Sequence, residues 1–172
     1  MKIIDQIKHF EPCVEAVEWL GDKTFDEAWA TCERGDWMLW AYARLYYDRN
    51  RELVGCVAEC VATIQHLMTD QRSVDVLKAC KKYANGEISK EELLSYAIAS
   101  YEAAEANADI NAHAAAAYQA AHAAVNVHSA TYAASAAAAC ADSAAAYADF
   151  AAARKKNLKL TADICRRLLP CS

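Results

Sequence analysis

The chain has 172 residues, a formal charge of −5 and 24% charged residues, enough length to bury a core and an ordinary charge content that argues against disorder. The acidic balance disfavours nonspecific binding to nucleic acid, and no run of about 18 apolar residues marks a membrane span. Only four Gly and two Pro interrupt it, so helix is favoured nearly everywhere.

The opening MKIIDQIKHFEP lacks a sustained apolar stretch, so no secretory signal is expected and the protein is placed in the cytoplasm. Eight cysteines without a CxxC pair agree with this, reading as reduced thiols buried as small apolar residues. Pro12 suits the first turn of a short helix that Gly21 ends, with Val14, Val17 and Leu20 facing inward. Thr24-Phe25-Asp26-Glu27 is a capping-box sequence that opens a second helix running to about Glu33. Gly35 then stops that helix, and Asp36 caps a third helix from Trp37 to near Asp48-Arg49-Asn50.

The fourth helix has the cleanest pattern: Leu53, Val57, Cys60, Val61, Ile64, Leu67 and Met68 recur at helical spacing. A fifth buries Val74, Leu77, Cys80 and Ala84 and closes at Asn85-Gly86. Ser89-Lys90-Glu91-Glu92 is a second capping box, opening a helix with Leu93, Leu94, Ala97, Ile98 and Tyr101 on one face.

From Ala103 to Ala153, 28 of 51 residues are Ala. One unbroken rod would run on the order of 75 Å, too long for a compact domain of this size. Breaks are expected near Asn107–Asp109 and Val125–Ser129, with a third near Cys140–Asp142. The small side chains suit close helix packing. A last helix runs through Arg154-Lys155-Lys156 to Leu169, burying Leu158, Ile164, Cys165 and Leu168, and Pro170 terminates it. The expected fold is all-α, a compact array of about seven to nine helices in one domain over 1–172, with aromatic helices in 1–102 and Ala-rich ones in 103–172.

No nucleophile-base signature, phosphate loop or dinucleotide fingerprint occurs, so no catalytic residue and no cofactor is expected. Cys56 and Cys60 lie one helical turn apart and could be half a metal site. His66 points away from them, the other half is missing, and no metal is expected. Three of the four tryptophans lie in Trp29–Trp40, and Trp37, Trp40, Arg44 and Tyr47 share one face of the third helix. Core packing accounts for such a face, yet Trp, Tyr and Arg also dominate binding hot spots. Together with Arg34 and Asp36 these residues form the candidate binding surface. A second stripe, Asn111, Tyr118, His122, Asn126 and Ser129, recurs at near-helical spacing in the Ala-rich tract. It reads either as a solvated face or as the polar wall of a ligand pocket.

Ala28-Trp29 followed by Cys32-Glu33-Arg34-Gly35-Asp36-Trp37-Met38-Leu39-Trp40 resembles the signature of the Imm-five-like immunity proteins. Ala162-Asp163-Ile164-Cys165-Arg166-Arg167-Leu168-Leu169-Pro170 resembles the segment that often closes members of that family, and the likeness spans about 25–170. The resemblance implies a small bacterial or phage protein that neutralises a cognate protein toxin by direct binding. An acidic N-terminal half, with 12 Asp/Glu against 7 Lys/Arg in residues 1–60, suits a basic toxin surface. The alternative is a phage-type counter-defence protein that sequesters a small nucleotide signal along the Tyr118–His122–Asn126 stripe, closed across a homodimer.

Overall fold

The structure, a computed structural model, describes residues 1–106, 119–120, 129–145 and 150–169. It is all-α. Nine α-helices lie among the described residues, with no strand beyond a single bridge between Lys2 and Thr24. They are α1 (Ile3–Ile7), α2 (Val14–Leu20), α3 (Phe25–Thr31), α4 (Gly35–Leu45), α5 (Asn50–Ala62), α6 (Gln71–Ala84), α7 (Lys90–Ala106), α8 (Ser129–Ala145) and α9 (Phe150–Leu168). Short 3₁₀ turns follow α1 at Lys8–Phe10 and α5 at Gln65–Leu67. The breaks expected near Asn107–Asp109 and at Val125–His128 lie outside the described residues, as does Pro170.

Local chemistry sets several boundaries. The Thr24 hydroxyl accepts the Glu27 backbone N–H at 3.3 Å, while the Thr24 backbone N–H donates to the Glu27 carboxylate at 2.8 Å. The same reciprocal pair joins Ser89 and Glu92 at 2.8 and 3.1 Å. The Thr24 backbone N–H holds the Glu27 carboxyl below its ordinary range. Its contribution is therefore present above that range and fades as pH falls through the lowered value. Thr24→Ala is expected to cost about 1 kcal/mol at neutral pH, read as a shift in the denaturant midpoint.

Other boundaries differ from the sequence expectation. α2 begins at Val14 with Cys13 as its N-cap, and Ala16 and Leu20 face inward while Val14 and Val17 are 71% and 37% exposed. A seven-residue helix shows whichever face its neighbours cover, and here α1 and the start of α4 cover the Ala16–Leu20 side. Glu11, with φ 55°, turns the chain into Pro12 through the left-handed region. Asp36 does not cap α4: it lies inside the first turn, buried, and Arg34 is the N-cap. α4 ends at Leu45, so Tyr47 lies beyond it and is 85% exposed rather than on the Trp37–Trp40 face. α8 runs unbroken through Cys140–Asp142. Cys140 faces the core, and Asp142 accepts from Arg154 of α9 at 2.7 Å on the solvent side.

The main core draws on α4 through α9. Leu39, Tyr42, Val54, Val57, Val61, Ile64, Val76, Leu77, Leu93 and Cys165 are buried together. Of the expected α5 pattern, Leu53, Val57, Cys60, Val61 and Ile64 are buried, with Leu67 and Met68 packed at the edge. On α6 the buried set is shifted to Val76, Leu77, Ala79, Cys80 and Tyr83, leaving Val74 half-buried. Ile98 and Leu168 are exposed, not buried, and Leu169 replaces Leu168 inside. The centre of this packing is α8, whose Ala133, Ala136, Ala137, Cys140 and Ala141 are buried against α4, α5 and α9. Alanine on this face lets the backbones of four helices approach closely.

Gly35 sits where α4 meets α9. A Cβ built there would lie 2.1 Å from Thr161 Oγ1 and 2.7 Å from the Ala162 backbone nitrogen. The glycine is thus explained by close approach and not by a turn.

Candidate functional site

A second, smaller cluster of Ile3, Ile7, Leu20 and Ala28 holds α1, α2 and α3 against Trp40 and Leu45 of α4. Where the two clusters meet, the surface opens into an apolar cleft. Pro12, Cys13, Ala16 and Trp19 form one wall, Trp29 and Cys32 another, and Trp37, Met38 and Trp40 the floor. All four tryptophans of the chain line this one cleft. The depth within the cleft amounts to about 70 Å³, or about 530 Å³ when the open solvent at its mouth is included. The depth is less than half of the ~150 Å³ cavity that holds a benzene ring. It takes the tip of one apolar side chain and is too small for a nucleotide.

The tryptophans are held from several directions. Trp19 and Trp37 meet at 6.1 Å in a tilted pair, and Phe25 stacks on Trp29 at 5.4 Å. Arg34 lies over Trp37 at 4.3 Å while its guanidinium grips Asp36 through two bonds of 2.9 and 2.6 Å. Arg44 reaches over Phe10 at 5.5 Å and Trp40 at 5.7 Å. Of the six residues expected to form the binding surface, Trp37 and Trp40 line this cleft, Arg34 and Arg44 lie against those two rings, and Asp36 is buried beneath Arg34. Tyr47 does not join them. Sequence reasoning missed Trp19 and the α2 wall, because the face of a short helix that packs inward is set by distant partners.

Charges of both signs surround the cleft: Lys23 lies over Trp19 at 4.6 Å, as Arg34 and Arg44 lie over Trp37 and Trp40. Glu11, Glu15 and Glu18 are exposed on and just before α2, next to exposed Cys13, Val14 and Val17. The field of Glu15 reaches Arg34, so this carboxylate stands close to the Trp37 side of the cleft. The Cys32 thiol in the wall is pushed up to about 11 by burial, so it stays protonated near neutral pH and is a poor nucleophile.

The segments 28–40 and 162–169 touch each other. Arg166 donates to the carbonyls of Trp29 at 3.1 Å and Cys32 at 2.7 Å, satisfying the end of α3. Gly35 packs on Thr161 and Ala162. Cys32, Gly35 and Arg166 thus hold the fold, while Trp37 and Trp40 face the cleft.

A more open groove lies between Glu33, Arg34, Ala151, Arg154, Lys155 and Leu158. Two of its three cations are engaged by carboxylates, Arg34 by Asp36 and Arg154 by Asp142. Asn111, Tyr118, His122 and Asn126 of the alternative stripe lie outside the described residues, and Ser129 opens α8. The half metal site acquires a third thiol: Cys165 of α9 meets Cys56 and Cys60 of α5, all three buried. Comparison with protein-family models, with curated proteins and with solved structures finds no match to this chain.

Proposed function

We propose that this chain is an immunity-type binding protein that blocks a cognate protein toxin by steric occlusion, docking it at the tryptophan-lined cleft. The observation that carries the reading is the convergence of all four tryptophans on one open apolar cleft, with Glu15 near its Trp37 side. The occupant has a defined chemistry: one apolar side chain that enters the cleft, flanked by a Lys or Arg that faces Glu15. Aromatic walls around a single anchor give a hot spot, and the surrounding charge steers the encounter. The reading needs no cofactor and no catalytic group. Sequestration of a nucleotide is the second reading: all but Ser129 of the stripe that would carry it lies outside the described residues, and the basic groove has two of its three cations already paired.

The test begins with native mass spectrometry of the protein isolated gently from its source cells, which weighs and identifies any stoichiometric partner. Affinity for that purified partner is then measured for Trp37→Ala, Trp40→Ala and Glu15→Lys, with melting temperatures alongside. Each tryptophan variant is expected to lose roughly 2 kcal/mol of binding or more, about thirty-fold, and to release toxin activity. Glu15→Lys, on an exposed helix face, should slow association and flatten its salt dependence while leaving the melting temperature unchanged. Undiminished affinity in all three variants, or a bound mass of only several hundred daltons, overturns the reading.

A further inference from the structure

We propose that Cys56, Cys60 and Cys165 form a binding site for a soft, thiophilic cation, with Cu(I) held by three sulfurs as the fitted occupant. The ligand set arises from two separate features. Residues 56 and 60 share one face of α5 because they stand one turn apart. Cys165 is delivered to that face by α9, from 109 residues away. The Cys56 and Cys165 sulfurs are 3.8 Å apart, and all three ligand atoms lie within 4.8 Å of one another. A metal with bonds of about 2.3 Å to three thiolates holds its sulfurs roughly 4 Å apart. Side-chain shifts of less than an ångström therefore close the site.

Its chemistry selects the ion. No histidine or carboxylate among the described residues joins the three sulfurs. The nearest other acceptor noted at Cys165 is the Gly35 carbonyl, 3.9 Å away. An all-sulfur set excludes Mg²⁺ and Ca²⁺, which take oxygen ligands. It also leaves Zn²⁺ one ligand short of its closed tetrahedron, since Cys140, whose field reaches Cys60, stands outside the group of three sulfurs. Three soft donors in a dry core suit Cu(I). On loading, one Cu⁺ forms three Cu–S bonds as the three thiols release three protons to solvent. The complex carries two negative charges, and the Arg166 guanidinium is the neighbouring cation whose field reaches Cys165. Cys80 of α6 is the internal comparison, buried but outside the sulfur group. Since the ligands are buried and come from two helices, loading accompanies folding.

The full chain is refolded without oxygen and under a non-thiol reductant, with Cu(I) supplied from a competing chelator. Bound metal is counted by native mass spectrometry, and its sulfur neighbours by X-ray absorption. The expected result is about one Cu(I) per chain with three sulfurs at about 2.3 Å, retained by Cys80→Ala. Cys165→Ala and Cys56→Ala are each expected to lose it, with circular dichroism confirming that they remain helical. Should both unfold, Cys60→Ser serves as a third variant, and the sulfur count in the wild type decides alone. No copper retained against the chelator, equal uptake by Cys165→Ala, or a Cys56–Cys165 disulfide in place of metal overturns the proposal. Tighter retention of Zn²⁺ with a fourth ligand overturns the three-coordinate assignment.

Discussion

Gly35→Ala is expected to lower the stability of the protein by about 3 kcal/mol, the upper end for overpacking a core. The added carbon would lie 2.1 Å from the Thr161 hydroxyl oxygen, 2.6 Å from the Thr161 Cβ and 2.7 Å from the Ala162 nitrogen. Thr161 is fully buried, and its hydroxyl donates to the Leu158 carbonyl at 2.8 Å, so it has no free rotamer to retreat into. Two of the three clashes involve atoms that remain in a Thr161→Ala variant. The second substitution should therefore rescue little, and α4 must move off α9. Because Asp36 and Trp37 follow Gly35 directly, that movement also displaces the cleft floor. The measurement is denaturant unfolding, with the midpoint falling at unchanged slope. At this chain length the melting temperature should fall by roughly 6–12 °C. An unchanged midpoint would show that α4 and α9 do not approach in this way.

The same glycine shows what a linear sequence hides. Thr24–Glu27 and Ser89–Glu92 were legible because a capping box joins residues three apart. The α5 core face was legible because its apolar residues repeat at 3.6-residue spacing over several turns. Gly35 reads locally as a helix stop, yet its reason lies at Thr161, far along the chain. Val14 and Val17 look like core on composition, but α2 is too short for its own periodicity to choose the buried side. At the candidate site, the aromatic density between Trp29 and Trp40 marked the floor of the cleft. Trp19 joined it only through the packing of α2 on α4, as Cys165 joined Cys56 and Cys60 only through α9. Contacts within one turn could be read, whereas contacts between helices needed the fold.

Arg34→Ala is expected to cost more than removal of Arg34 and Asp36 together. Asp36 has a side chain only 10% exposed, and the bidentate Arg34 guanidinium is the partner that compensates its burial. Truncating the arginine leaves a carboxylate without that compensation, at a cost of about 2–3 kcal/mol once the partial exposure of the pair is allowed for. Arg34→Met with Asp36→Leu removes both charges and fills similar volume, so the double variant should recover part of the loss. The coupling energy from the cycle is expected to be at least ~1 kcal/mol. The cycle also separates two roles that overlap at this position, because Arg34 lies over Trp37 at 4.3 Å. If the pair only fixes the floor of the cleft, the refolded double variant keeps its affinity for the partner while Trp37→Ala loses it. If Arg34 itself meets the partner, affinity falls in the double variant although its stability has returned. That second pattern would extend the docking surface from the cleft onto its charged edge, where Glu15 already acts on Arg34.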